Sequence, residues 1–542
     1  MTLRSFIIAV AGCVLLGAQE QPSEPLVLKS TTRLVQVNVI ADDLQGRPVA
    51  DLRKEDFQIK VEGKVQPISV FAVNSTAPFA ASAALSHVER PLPANVFTNR
   101  LERNESTASG VTIILLDARN TAWADLVYAK AEIVRYLRNL QPGDHVGLYV
   151  FGASLGVLHD YTANSADLLD RLETYRQGQQ LPDTSAGEPP GAIQDDVHVL
   201  DGWKRAVQEN RAEQAFYTSN NVVATLRVLE FIASHLARVS GRKNLIWVSG
   251  GFPLCVNCDQ MGAKYVHNFN DEARHTERLL NDANIAIYPV DARGLMYDPR
   301  FDASHWRPQS GTVGSTPPIG VVEHQTMDEL AGTTGGRAFY NGNDLSHAIQ
   351  RAVDDSRVTY TLGFYPEDEK LDGKFHEIKI HLVERRGLKL RYRKGYVARG
   401  DDPQDVHTRD KEMVDAVWSP IDATALSLLA RVDPGSKAGS VDVTVKVDHT
   451  DISLQRQQDR WVGRLDILYV QKDDRGDEYG NVSDKIDLRL KEANYQTLMT
   501  EDFLYQRSVE RNSKADFLRI VVRDAASGSI GSITVPLAEI RR

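Results

Sequence analysis

The chain has only three cysteines among its 542 residues, which excludes a disulfide-rich scaffold. It also lacks any excess or long run of basic residues. The formal net charge is −10, so nucleic acid is not an expected partner. Hydrophobic residues make up 42% and charged residues 25%, a balance that excludes disorder throughout the chain. At roughly 150 residues per domain, the length predicts three or four domains.

The N-terminus has the pattern of an export signal. An arginine precedes a nearly apolar stretch from Phe6 to Gly17, which is too short to span a bilayer. Small residues then give way to polar ones, which predicts cleavage after Ala18. Val10 to Cys13 also matches a bacterial lipobox, so a lipid anchor at Cys13 is the alternative. Cleavage at this site would leave a very short apolar core in the signal peptide, which disfavours it. No later stretch reaches about 18 apolar residues, so we expect an exported, periplasmic or secreted protein without a transmembrane segment.

The other two cysteines, Cys255 and Cys258, form a C-x-x-C pair. One such pair is too small for a structural four-cysteine zinc site. In an oxidising compartment the pair predicts a local disulfide. A redox-active pair is the alternative, but a thioredoxin-like pair opens a helix, whereas this one follows Gly250-Gly251-Phe252-Pro253 in a predicted loop.

Strand patterns flank a central region. Residues 26–73 and 357–397 alternate apolar and polar side chains between turns, which predicts antiparallel strands. A sheet as small as either segment could form is marginal alone, so we expect one composite, β-sandwich-like domain. The polar intervals 74–110 and 398–412 predict linkers, and 413–542 predicts a separate β-rich domain of no family that we can name.

The central region, 111–354, alternates strand and helix patterns. Val111 to Leu116 is a nearly continuous apolar run, typical of a strand that is buried on both faces. The alternation predicts an α/β fold with a doubly wound, mainly parallel sheet. Two stretches rich in polar residues, Gly and Pro, 176–215 and 293–320, predict insertions into it.

The central region resembles the von Willebrand factor type A domain. The segments that carry the resemblance are Thr112 to Asp117, Pro142 to Phe151, Gly241 to Gly251, Ile287 to Asp291 and Leu330 to Tyr340. With the flanking segments Asp51 to Phe57 and Tyr392 to Tyr396, the chain is similar to a subfamily of exported A-domain proteins common in Acidobacteria. The resemblance covers about residues 26–398.

The resemblance implies a divalent cation at the carboxyl edge of the sheet, bound by an Asp-x-Ser-x-Ser loop, a threonine from a second loop and the aspartate of a Thr-Asp-Gly loop. Mg²⁺ prefers six oxygen ligands at about 2.1 Å. Asp117 and Thr121 fit the first loop, and Thr218 is the candidate from the second. Arg119 replaces a hydroxyl ligand, and Ser249-Gly250-Gly251 replaces Thr-Asp-Gly. We therefore expect a degenerate adhesion site, with Mg²⁺ on Asp117 and Thr121 as the alternative.

A second Asp-x-Arg motif, Asp291 and Arg293, ends a later predicted strand, as Asp117 and Arg119 end the first. Open α/β sheets place ligand crevices at this edge. We expect each arginine to hold a carboxylate in bidentate fashion and to lower the pKa of that carboxylate. The functional interpretation is that Arg119 replaces the cation and binds an acidic side chain of a protein partner. The plainer alternative is a set of exposed ion pairs worth under ~1 kcal/mol each.

One motif points to an enzyme instead. Ser154 lies in a Gly-x-Ser-x-Gly sequence, and Asp291 and His324 follow it in the order of a hydrolase triad. However, a nucleophile elbow leads into a helix, whereas Val157 to Tyr161 predicts a strand. We therefore expect no catalytic residues and a role in adhesion or envelope interaction. A serine hydrolase that uses Ser154 and a structural scaffold of an envelope assembly are the alternatives.

Overall fold

A computed structural model describes residues 34–75, 92–100, 110–141, 144–175, 220–239, 241–252, 270–295, 321–366, 372–399, 406–437 and 439–540. The predicted signal peptide (1–18), the lipobox cysteine Cys13, the predicted insertion 176–215, Thr218 and the Cys255–Cys258 pair lie outside these residues. The described residues form a mixed α/β fold with several antiparallel sheets and one mixed sheet.

Regular elements cover most of these residues. The strands are β1 (Val35–Asp42), β2 (Phe57–Val61), β3 (Lys64–Gln66), β4 (Val70–Ser75), β5 (Val96–Thr98), β6 (Val111–Asp117), β7 (His145–Phe151), β8 (Leu155–Thr162), β9 (Lys243–Ser249), β10 (Ile285–Asp291), β11 (Val358–Phe364), β12 (Asp372–Leu382), β13 (Lys389–Arg391), β14 (Gly395–Arg399), β15 (Leu428–Pro434), β16 (Ser440–Val447), β17 (Gln455–Gln457), β18 (Arg460–Lys472), β19 (Glu478–Leu490), β20 (Phe503–Glu510), β21 (Phe517–Asp524) and β22 (Ile530–Pro536). The helices are α1 (Trp123–Leu137), α2 (Ser165–Thr174), α3 (220–235), α4 (Asn270–Asp282), α5 (Val321–Thr334), α6 (Leu345–Asp354), α7 (Val406–Trp418) and α8 (Glu492–Leu498). No helix among them is long and apolar enough to cross a membrane.

Two segments that are far apart in sequence build the first sandwich. One sheet has the order β13-β1-β11-β4 and the other β14-β12-β2-β3, so each combines strands from before and after the central region. Phe57, Ile59 and Tyr360 belong to the apolar core of this sandwich. The Tyr360 hydroxyl donates to the carbonyl of Val49 (2.7 Å) and accepts from the amide of Leu52 (3.1 Å), which ties β11 to the first segment.

The central sheet has the order β10-β9-β6-β7-β8. The first four strands are parallel, and β8 pairs antiparallel with β7 at the edge. Every residue of β6, β9 and β10 is buried, because helices cover both faces. Side chains of α1, α2 and α6 pack on one face, and those of α3, α4 and α5 on the other. Because β6, β9 and β10 are parallel, their carboxyl ends meet at one edge of the sheet.

The C-terminal sandwich includes a strand from the interval that the sequence predicted as a linker. Strand β5, within 74–110, adds to the edge of the sheet β20-β16-β15-β5. The buried Asn99 that follows it donates to the carbonyls of Ala423 (2.7 Å) and Leu426 (2.8 Å) and accepts from the amide of Leu428 (2.8 Å). Asn99 thus bonds the end of β5 to residues 423–428, which lead into β15, and holds the incoming strand at the sheet edge.

The second predicted linker also differs from the structure. Helix α7 begins within 398–412 and packs on the sheet that contains β17, β18, β21 and β22, with β19 paired to β18. The fully buried Arg519 of β21 donates to the carbonyls of Ala416 and Ile421 near the end of α7, at 2.9 Å each. The sequence did not predict this helix, because its first residues are polar and resemble a linker. The contact that holds it comes from Arg519, about 100 residues later in the chain.

Candidate functional site

Asp117 ends β6 and lies at the centre of the carboxyl edge, with no exposed surface. Its Oδ1 accepts from the backbone amides of Arg119 (3.2 Å) and Asn120 (3.0 Å). Its Oδ2 is within hydrogen-bond distance of Asn120 Nδ2 (2.9 Å), Trp247 Nε1 (3.0 Å) and Ser249 Oγ (2.9 Å). Five donors from the protein therefore surround this carboxylate, about as many as two carboxylate oxygens can accept.

The two hydroxyls beside Asp117 are also engaged. Thr121 Oγ1 donates to the backbone carbonyl of Asp117 and accepts from the amide of Gly250 (2.8 Å). The single proton of the Ser249 hydroxyl can go to Asp117 or to the carbonyl of Gly251, 2.7 Å away. These bonds join the loop after β6 to the loop after β9, so the first and third predicted site loops are held together without a ligand.

Arg119 does not pair with Asp117, contrary to the sequence prediction. Its backbone amide donates to the carboxylate of Asp117, while its side chain extends towards α3. Arg119 Nε donates to Asn221 Oδ1 of α3 (2.9 Å), and the guanidinium carbon lies 5.8 Å from the centre of the Phe151 ring. Burial raises the pKa of Asp117, and the hydrogen bonds of the site oppose that rise without reversing it. The expected lowering by a neighbouring arginine was wrong.

The second motif forms the bidentate pair that the sequence predicted. Arg293 donates to both carboxylate oxygens of the buried Asp291, from Nε at 2.9 Å and from Nη2 at 2.8 Å. Its Nη1 also lies 2.5 Å from a carboxylate oxygen of Glu323. His324 Nε2 is 3.4 Å from Asp291 Oδ2, and its ring stacks on Tyr340 with 4.2 Å between centres. These carboxylates raise the pKa of Arg293 and keep it charged against its own burial, which acts in the opposite direction.

The two aspartates lie on the same edge but not in one cluster. In the parallel register Ser249 of β9 stands beside Asp291 of β10, and β9 separates β10 from β6. Asp117 contacts Ser249 directly, whereas Asp291 is neutralised by Arg293. Of the seven predicted ligand-binding residues, six lie at this edge, and Thr218 is outside the described residues.

The residues at Asp117 do not fit an octahedral Mg²⁺ site. Such an ion needs oxygen lone pairs, yet the nitrogen donors of Asn120 and Trp247 occupy the position beside Asp117 Oδ2 and cannot act as ligands. The position of the missing aspartate is crowded as well: a Cβ on Gly250 would lie 3.2 Å from Thr121 Cγ2. Hydrogen bonds from the protein thus replace the cation that the resemblance implied.

The hydrolase triad is not assembled. Asp291 and His324 do approach each other, but Ser154 lies in the turn between β7 and β8. Three strand spacings separate β10 from β7, which is about 14 Å. Ser154 belongs to a tight turn in which the Gly152 amide donates to the Ser154 carbonyl (3.1 Å). The chain then continues as β8 rather than as a helix.

Sequence reasoning missed four members of the edge: Asn120, Asn221, Trp247 and Glu323. Asn120 and Trp247 supply the side-chain amide and indole N–H that replace a cation, and Asn221 orients Arg119. The one available signal was Trp247 among the aliphatic residues 245–248 of a buried strand, because a buried indole N–H requires an acceptor.

Comparisons with known proteins give no family. No family model matches the chain, and no curated protein matches it. An aerotolerance-related membrane protein from Bacteroides fragilis is 15% identical over 45% of this chain and 98% of its own, with a TM-score of 0.25. BatB from Bacteroides thetaiotaomicron is 15% identical over 46% and 98%, with a TM-score of 0.24. The ArnB paralog VWA2 from Sulfolobus acidocaldarius is 9% identical over 93% and 75%, with a TM-score of 0.21. The fold described above rests on strand order and pairing alone.

Proposed function

We propose that the chain is an exported, non-enzymatic binding protein with a doubly wound domain of the von Willebrand factor A type. In this proposal Arg119 binds an acidic side chain of a partner protein at the carboxyl edge, and no divalent cation takes part. The observation that carries the proposal is the set of hydrogen-bond partners at this edge. Uncharged donors bond the carboxylate of Asp117, and Arg119 bonds the neutral amide of Asn221, so its positive charge can pair with an acidic group of a partner.

The geometry of Arg119 suits this role. Asn221 uses only its Nε, and the two Nη groups make no hydrogen bond to the residues that the structure describes. The side chain is partly exposed, and its contact with the Phe151 ring limits its rotamers. A guanidinium that is held in place in this way can donate two parallel hydrogen bonds to one carboxylate and loses little entropy on binding.

The experiment first uses the wild-type protein and Arg119→Ala to capture partners from the native envelope. The affinity of each protein for the purified partner is then measured. We expect binding to persist in EDTA and Arg119→Ala to weaken it by about 30-fold or more, as for a central arginine of an interface. Arg135→Ala is the matched control, because Arg135 is a half-exposed arginine of the same domain that pairs with Glu132 (2.8 Å). Binding that requires Mg²⁺, or that survives Arg119→Ala, would contradict the proposal.

A further inference from the structure

Helix α3 connects the carboxyl edge with the C-terminal sandwich. In its first turns, Asn221 accepts from Arg119 Nε (2.9 Å), and Thr225 Oγ1 accepts from Asn120 Nδ2 (3.2 Å). The helix then runs for 16 residues, 220–235, or about 24 Å at 1.5 Å per residue. Both residues whose backbone amides donate to Asp117 Oδ1 are therefore bonded to one end of this helix.

The C-terminal sandwich caps the other end. The last carbonyls of a helix have no intrahelical donor. Here the Thr424 amide donates to the carbonyl of Ser234 (3.0 Å), and Thr424 Oγ1 donates to the carbonyl of His235 (2.9 Å). The same hydroxyl accepts from the amide of Arg238 (3.3 Å), just past the helix. Thr424 is almost fully buried, so water cannot replace these bonds.

Side chains in the last turn and just past it strengthen the contact. Arg238 pairs with Asp451 (2.5 Å) and donates to Ser427 Oγ (3.0 Å). The buried His235 donates from Nδ1 to the carbonyl of Asp422 (2.7 Å). All of these acceptors belong to the segment and loops that lead into the C-terminal sheets, so the sandwich holds the helix end by directional bonds rather than by apolar contact alone.

We infer that the C-terminal sandwich positions Arg119 through α3, with Thr424 and Arg238 as positioning residues. Hydrogen bonds along a helix keep its rise and pitch fixed, so a shift at the capped end displaces Asn221 and Thr225 by a similar amount. This assigns a role to residues 419–451, for which the sequence predicted none. The consequence for partner binding rests on the proposed function of Arg119, but the mechanical link does not.

Hydrogen exchange on the whole chain, measured by mass spectrometry, tests the link without a partner. The variant is Thr424→Val, which removes the hydroxyl and keeps the shape. We expect exchange of the amides at 119–121 and 221–226 to rise about tenfold, as for the loss of one or two buried hydrogen bonds. Thr424→Ser keeps the hydroxyl and should behave like wild type. Arg431→Ala is the control within the same sandwich, since it breaks an exposed pair with Asp433 (2.7 Å).

An increase confined to 232–239 and 422–428 would overturn the inference, because it would show that the helix does not transmit the change. Arg238→Met, which removes the pair with Asp451, provides a second variant if Thr424→Val proves too unstable, with the same expected and contradicting patterns. If the exchange result holds while Arg119→Ala leaves partner binding intact, the proposed function fails and the link between α3 and the edge stands.

Discussion

Asp117→Asn tests whether the edge is built for hydrogen bonds or for a cation. An amide keeps one acceptor and replaces the other carboxylate oxygen by a donor. If its nitrogen takes the place of Oδ2, it faces donors from Asn120, Trp247 and Ser249. If it takes the place of Oδ1, it faces the two backbone amides that donate there. Either orientation loses two or three bonds and creates contacts between donors.

At about 1 kcal/mol for each lost bond, the substitution should lower the free energy of unfolding by about 2 to 3 kcal/mol. Since Asp117 is fully buried, relaxation into water will not reduce this loss. The assay is urea unfolding at pH 7, in EDTA and in 5 mM MgCl₂. We expect the same loss in both buffers, because no cation takes part.

The control is Asp51→Asn, which weakens a solvent-exposed pair with Arg385 (2.7 Å) and should change the free energy of unfolding little. If Mg²⁺ stabilises the wild type and Asp117→Asn removes only that increment, Asp117 is a metal ligand and the hydrogen-bond account is refuted.

Three further predictions follow from single sites. Burial raises the pKa of Glu230 to about 7, so its contribution to stability is present below pH 4.5 and is lost as the pH rises through 7. Glu230→Gln should therefore add about 3 kcal/mol at pH 8 and little at pH 4, by urea unfolding. Arg519→Met should cost about 3 kcal/mol in the same assay, because it removes the charge that pairs with Asp422 and the buried donor to the carbonyls of Ala416 and Ile421; Arg519→Lys should not restore the loss. Protein from its native compartment should show Cys255 and Cys258 as one disulfide by intact mass after alkylation; two alkylated thiols would contradict this.

The elements that the sequence predicted well are those with a local signal. Continuous apolar runs marked β6, β7, β9 and β10, because a strand covered on both faces has no polar side to interrupt it. Strand β5 has only three residues, and its partner β15 lies more than 300 residues later, so nothing local distinguished it from a linker.

The same division holds at the candidate site. The positions of Asp117 and Asp291 could be predicted, because the carboxyl ends of parallel strands share an edge. The pairing of Arg293 with Asp291 is local and was also predicted. The direction of the Arg119 side chain was not, because it depends on Asn221 of a helix about 100 residues away. Sequence patterns predict on which face or edge of a sheet a residue lies, but its side-chain rotamer depends on tertiary contacts.

Calorimetric titration of Mn²⁺ into the metal-stripped whole chain tests the central claim most directly, because Mn²⁺ takes the oxygen ligands that Mg²⁺ takes. With Asp117 enclosed by donors from the protein, we predict no stoichiometric uptake of the ion at this edge and the same heats for wild type and Asp117→Ala. Tight uptake of one Mn²⁺ per chain by the wild type, lost in Asp117→Ala, would contradict the account and establish a conventional metal site.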